Sequence, residues 1–206
     1  MGTLVVTEFM TLDGVGQGGG GPDEDREGDF AHGGWMAPLA DQDPASGDVV
    51  FEQASTMDAL LLGRKTYEIF SGFWPGAPPE IPFTNLLNGV PKYVASRSLT
   101  GPLAWHGSTL LADDLGREVA TLKDRHDEVH VIGSLNLVPS LLALGLVDRM
   151  NLWVFPLLLG SGKRVFGEGT VPTALRLIDS VTHPSGTLHL TYAMSGVPTY
   201  GTIGED

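Results

Sequence analysis

This sequence predicts an α/β fold: a mixed, mostly parallel sheet with a C-terminal antiparallel hairpin at one edge. Three observations carry that prediction. Short strand candidates alternate with helix candidates through most of the chain, the pattern of parallel strands joined by helical crossovers. One of those strands, Ala59–Leu62, is apolar on both faces, as suits a strand buried inside a parallel sheet. The chain closes on two strand candidates joined by Pro184-Ser185-Gly186, which read as a hairpin.

The elements follow in order. Thr3–Met10 is rich in β-formers and reads as the first strand, with Asp13-Gly14 turning out of it. A glycine-rich loop, Gly14 to Gly21, follows. Gly14, Gly16 and Gly19 match G-x-G-x-x-G in form, but Gly20, Gly21, Pro22 and a charge run come next where a dinucleotide fingerprint needs a helix. A mobile surface loop, able to act as a lid, is the expectation. Phe30–Leu39 is irregular. Asp48–Met57 reads as a helix, with Asp48 as its N-cap and Val50, Ala54 and Met57 on one face. After Ala59–Leu62, Gly63 exits the strand and Arg64 opens a short helix. Ser71–Pro91 holds five prolines and reads as a long loop, with one helical turn around Phe83–Leu87. Lys92–Ser96 and Ser108–Ala112 are strands. Asp113–Arg125 is a helix capped by Asp113 or Asp114, with Leu115, Val119 and Leu122 on one face. Glu128–Ile132 is a strand. Leu135–Leu144 is a helix that tolerates Pro139 only in its first turn, and Gly145 ends it. Arg149–Pro156 is a long strand. Ala174–His183 and Thr187–Ser195 form the hairpin. No internal repeat appears, so residues 1–206 read as a single domain.

The totals limit the function. The 206 residues suffice for one domain with a sizeable core. A net charge of −13, from 12 basic and 25 acidic residues, argues against a general nucleic-acid binder. It leaves room for a small phosphorylated ligand held by a few placed cations. Cysteine is absent, which excludes thiolate metal sites and fits a reducing compartment. The start carries no signal-peptide pattern, and no apolar run approaches a membrane span. A cytoplasmic protein without membrane or nucleic-acid partners is expected. His126 and His130 are four apart but flank a helix-to-strand break, so no metal site is expected.

Three strand ends carry the chemistry. The first is Gly63-Arg64-Lys65-Thr66, where two cations and a hydroxyl sit among the free N–H groups of a helix start, a place for phosphate. The second is Ser96-Arg97-Ser98, suited to a terminal phosphate monoester. The third is Ile132-Gly133-Ser134. In an open parallel sheet, ligands bind at the carboxyl ends of strands. One ligand touching all three junctions matches a dinucleotide with a 2′-phosphate, hence NADPH.

These same motifs carry a resemblance. GRKTYE after a short strand, a strand ending Ser-Arg-Ser, and VIG-x-x-x-L before a helix together resemble the dihydrofolate reductase superfamily. With Asp13-Gly14 after strand one and PLLLGSGKRVFGE after the long strand, the chain looks most similar to the C-terminal reductase domain of bifunctional riboflavin-biosynthesis deaminase/reductases and its stand-alone relatives. The resemblance spans about Thr3 to Ser195. It implies a three-layer α/β/α dihydrofolate reductase-like fold, NADPH, hydride transfer and a homodimer. It implies that Gly63, Arg64, Lys65 and Thr66 hold cofactor phosphates, that Ser96, Arg97 and Ser98 hold the 2′-phosphate end, and that Ile132, Gly133, Ser134, Leu135 and Leu137 meet the pyrophosphate or nicotinamide side. Ser134 departs from the usual second glycine. Its Cβ would crowd the backbone approach, while its hydroxyl could bond phosphate.

The proton source has three candidates: Asp13, Asp48 and Glu52. Asp13 reads equally as a turn residue and Asp48 as an N-cap. Trp35, Phe73, Trp74 and Phe155 are candidates to line a pocket for a flat ring, or to pack as core. The readings left open are an NADPH-dependent reductase of a small heterocyclic (pterin- or folate-like) or ribosylated pyrimidine substrate, a non-catalytic nucleotide-binding module, and a phosphate-utilising enzyme of another class.

Overall fold

In the computed structural model, which describes residues 1–204, eight strands form a single mixed sheet in the order β4-β3-β2-β5-β1-β6-β8-β7. The strands are β1 (Thr3–Thr11), β2 (Ala59–Gly63), β3 (Lys92–Ala95), β4 (Ser108–Leu111), β5 (Glu128–Ile132), β6 (Arg149–Phe155), β7 (Leu175–Thr182) and β8 (Leu188–Met194). The first six pair in parallel. β8 runs antiparallel to β6 and pairs with β7 in the expected hairpin. The two central strands, β1 and β5, meet in a register that sets Thr7 opposite Ile132.

Alternation along the strands divides the core between two faces. Leu4 and Val6 of β1, Leu61 of β2 and Val129 and Val131 of β5 pack against α5 (Leu115–Arg125) and α6 (Val138–Ala143). Leu60, Leu62 and Val94 face the other way, onto α2 (Pro44–Ala54), α3 (Arg64–Phe73) and α4 (Pro82–Gly89), through Ala54, Tyr67 and Leu87. A third cluster of Val15, Phe30, Trp35, Trp153 and Phe155 lies where the glycine-rich loop crosses the sheet. Among the described residues, no helix is long and apolar enough to cross a membrane.

Several boundaries move, each for a local reason. Pro44, fixed at a helical φ, starts α2 four residues before Asp48, so Asp48 lies within the helix and Asp43 stands at its N-cap. A short helix, α1 (Ala37–Gln42), forms in the segment read as irregular. The proline-rich stretch is more ordered than a loop: α3 runs to Phe73, a 3₁₀ turn spans Trp74–Gly76, and α4 follows with proline at its start. Asp114 is the cap of α5, accepting from the Arg117 N–H at 2.8 Å. The glycine-rich loop is tied down rather than free. Val15 bridges to Arg164, Gly16 donates to the Lys163 carbonyl at 3.0 Å, and the Gln17 amide oxygen accepts from Lys163 N at 2.9 Å.

Candidate active site

A cavity of about 1440 Å³ opens at the carboxyl ends of the parallel strands. All three strand-end junctions line it. Gly63, Arg64, Lys65 and Thr66 come from the β2–α3 turn, Ser96, Arg97 and Ser98 from the end of β3, and Ile132, Gly133, Ser134, Leu135 and Leu137 from the β5–α6 connection. A cavity there follows from the topology, because adjacent crossovers that leave on opposite faces of a sheet open a crevice between them.

The β2–α3 turn presents a bare helix end. Gly63 is the N-cap, in ordinary extended conformation, and no side chain caps the first turn. The free N–H groups of that turn therefore face the cavity with the partial positive charge of the helix. Three nearby cations are already engaged. Arg64 is bonded to Glu68 at 3.0 and 3.1 Å. Lys65 stands 3.5 Å from Asp25. Lys163 contacts Asp25 at 2.8 Å and Glu27 at 2.6 Å. Partial burial works against ionising Asp25, but the Lys163 ammonium outweighs it and holds that carboxyl below its usual range. Arg64, Lys65 and Glu27 are partly exposed, so an incoming phosphate would exchange one weak solvent-screened pair for another at little cost.

At the third junction, Gly133 and Ser134 both adopt positive φ, 62° and 67°. Glycine takes that conformation freely; serine does so at a cost of roughly 1–2 kcal/mol. Contacts compensate. The Ser134 N–H donates to Thr66 Oγ1 at 3.0 Å, and Ser134 Oγ accepts from the Gly63 N–H at 3.0 Å. The Ser134 hydroxyl is thus spent on joining the first junction to the third. At the second junction, Ser96 Oγ accepts from Ser98 N and Leu99 N at 3.2 and 3.0 Å, which fixes the turn and leaves Arg97 exposed at the cavity rim. Asp113 and Glu118 line the cavity as well, and burial together with the Asp113 carboxylate pushes Glu118 upward.

The predicted acids separate. Asp13 does not line the cavity. It accepts from Thr11 Oγ1 and from the backbone N–H groups of Leu159 and Gly160, and these bonds, that from Thr11 foremost, pull its carboxyl down to about 2. It pins a turn and has no proton to offer near neutral pH. Glu52 lies exposed on α2 outside the cavity, whereas Asp48, exposed one turn earlier, lines it. Of the aromatic candidates, Trp74 and Phe155 line the cavity. Phe73 is 55% exposed and points to solvent. Trp35 is buried behind the wall, its indole N–H donating to the Gln17 carbonyl at 2.8 Å and its ring set edge-to-face with Phe155, the two centroids 5.3 Å apart.

Trp153 and Glu8 are among the wall residues that escaped sequence reading. Trp153 of β6 stacks on Phe9 at 6.2 Å and lines the cavity. Glu8 of β1 also lines it, at 1% exposure, and its Oε1 has no hydrogen-bond partner. Burial alone pushes this carboxyl up to about 8. The signal was a single charged residue inside a strand of β-formers whose place, between β5 and β6, is the middle of the sheet.

Comparison with known proteins fits this geometry. The chain is 27% identical over 158 residues to the uncharacterized protein YyaP of Bacillus subtilis (strain 168), covering 75% of this chain and 82% of that one. A pyrimidine reductase-like protein from Corynebacterium diphtheriae superposes with a TM-score of 0.65 at 15% identity, over 94% of this chain and 92% of the other. RibD from Acinetobacter baumannii gives a TM-score of 0.60 at 17% identity, and this chain spans 58% of that longer protein. At these identities the two structures speak to the fold, which is the dihydrofolate reductase-like one. Residues 2–189, the span that holds all three junctions and Glu8, match the RibD C-terminal domain family, and the chain belongs to it.

Proposed function

We propose that the protein is an NADPH-dependent reductase that transfers a hydride to a small heterocyclic, pterin- or folate-like substrate or to a ribosylated pyrimidine. The observation that carries this reading is the convergence of three strand-end junctions on one cavity, with an uncapped helix N-terminus at one and an exposed arginine at another. The residues present fit such a cofactor. The bare N–H groups of α3 suit its pyrophosphate, and the Arg97 turn suits its 2′-phosphate. When bound, the reduced nicotinamide supplies the hydride. The chain's part is to hold the phosphates through Gly63–Thr66 and to shape an aromatic recess from Phe9, Trp74, Trp153 and Phe155 for a flat ring. The pyrimidine reductase-like relative supports the pyrimidine branch of the proposal.

The test is a screen for substrate-dependent loss of NADPH absorbance, using phosphoribosylaminouracil and dihydrofolate as probes. Turnover of either supports the reading. NADPH binding without turnover of any heterocycle supports the nucleotide-binding module instead. We also propose a homodimer, since the edge strand β7 leaves Leu175, Leu177, Ile178 and Val181 between 39% and 51% exposed.

A further inference from the structure

We infer that the substrate of this cavity is a flat amino-heterocycle without a phosphate or carboxylate tail: a free pterin-type ring or an unphosphorylated pyrimidine riboside. This rests on the reductase reading above and narrows it to a substrate class. The two ends of the cavity differ in charge. Among the described residues, its lining cations are Arg64, Lys65, Arg97 and Lys163. Arg64 and Lys65 open α3 and Arg97 follows β3, so these three stand with the junctions given to the cofactor. The other end is the aromatic recess between the loop Gly16–Gly20 and α2, walled by Phe9, Met36, Val50, Trp153 and Phe155.

Lys163 is the cation left for the recess, and its charge is already matched. Its ammonium contacts Asp25 at 2.8 Å and Glu27 at 2.6 Å. Asp25 is buried, so solvent does not loosen this pair as it loosens a surface one. The loop is built around it as well. The Gln17 amide donates to the Asp25 and Glu27 carbonyls at 3.3 and 2.9 Å and accepts from the Lys163 N–H at 2.9 Å. Backbone donors around the recess are engaged too. The Glu24 carboxylate accepts from the N–H groups of Gly20 and Gly21. At the start of α2, Pro44 has no N–H to offer, and that of Ser46 bonds the Asp43 carbonyl at 3.1 Å.

Carboxylates occupy the same wall. Glu24, Asp41 and Asp48 line the cavity, the last two exposed to its solvent. Among the described residues, the ion pairs here engage Asp25 and Glu27 and leave those three without a cation. A phosphate monoester carries a charge of roughly −1.5 to −2 at neutral pH. At the recess it would give up water, gain no free cation and face like charges. A neutral ring meets none of these costs. It stacks on the aromatic wall, and its amino groups can donate to the carboxylates. Selectivity then comes from repulsion of the charged tail as much as from attraction of the ring.

Two pairs of probes isolate the charge. One is phosphoribosylaminouracil against its dephosphorylated riboside. The other is dihydrofolate against the diamide of its glutamate tail. With NADPH kept saturating, the uncharged member of whichever pair is reduced should show a kcat/KM higher by about tenfold or more. The ratio should shrink as salt is raised to about 1 M, where charges are felt over only about 3 Å. Asp48→Asn should narrow the ratio, and Asp25→Asn, which releases Lys163 from one of its two partners, should narrow it further. Asp48 is exposed, so its variant tests the idea even if Asp25→Asn does not fold. A charged member reduced as well as its uncharged counterpart overturns the proposal and leaves the reductase reading standing. A ratio that ignores salt and both substitutions does the same, since selection by shape alone would give it. Protein that reduces none of the four probes overturns the reading and the proposal together.

Discussion

Glu8 makes a prediction about stability that needs no substrate. Its folded-state proton affinity is raised from 4.5 to about 8 by burial. Below 4.5, folded and unfolded chains both hold the proton, so the group is indifferent to folding. As pH rises, the unfolded chain releases its proton first, and stability falls until about pH 8, where the folded chain releases its own. At about 1.4 kcal/mol per pH unit, that interval is worth about 5 kcal/mol in full, and about 3 kcal/mol between pH 4.5 and neutrality. Glu8→Gln preserves shape and has no proton to lose. Urea melts of both proteins from acid to neutral pH should therefore show the variant gaining about 3 kcal/mol relative to wild type, or about 6–12 °C in Tm for a chain of this size. His130 and His189, both pushed down by burial, cost stability as pH falls below about 6.5, but they do so in both proteins and cancel in the difference. A difference that stays constant with pH would refute the claim that folded Glu8 is neutral.

Other outcomes follow from single contacts. Arg97→Ala should weaken NADPH binding by about 1–3 kcal/mol and leave NADH binding nearly unchanged, as isothermal titration would read; equal losses would show that Arg97 does not reach the 2′-phosphate. Ser134→Ala keeps the strained backbone but removes the acceptor of the Gly63 N–H, so it should cost about 1–3 kcal/mol in thermal melts. Asp114→Ala removes the α5 cap and should cost about 1 kcal/mol in the same assay. Light scattering should give a dimer mass that Ile178→Lys on β7 reduces to that of the monomer.

The junctions were legible because each joins an apolar strand to glycine or serine and then a cation or helix, a local pattern that chain topology then brings together. The hairpin was legible from its turn residues. Helix starts were less so. At Asp48 a good capping residue competed with Pro44 four positions earlier, and the proline, which fixes φ for a first turn, won. The glycine-rich loop read as mobile because its anchors, Lys163 and Arg164, lie far along the chain. Glu8 was missed for the same reason. Its burial depends on β1 standing between β5 and β6, and a neighbour list of its own strand does not contain that fact. Phe73 and Trp35 show the converse. Aromatic identity alone does not say whether a ring faces solvent, core or cavity.

The central claim is that one cavity binds NADPH through three strand ends. Trp74 and Trp153 both line that cavity, so their fluorescence reports occupancy directly. We would titrate the protein with NADPH and, separately, with NADH. The account predicts saturable quenching at micromolar NADPH and at least about tenfold weaker binding of NADH, the ratio expected for one charge-assisted contact to the 2′-phosphate. Equal affinities would contradict the role given to Arg97, and the absence of binding by either would contradict the site itself.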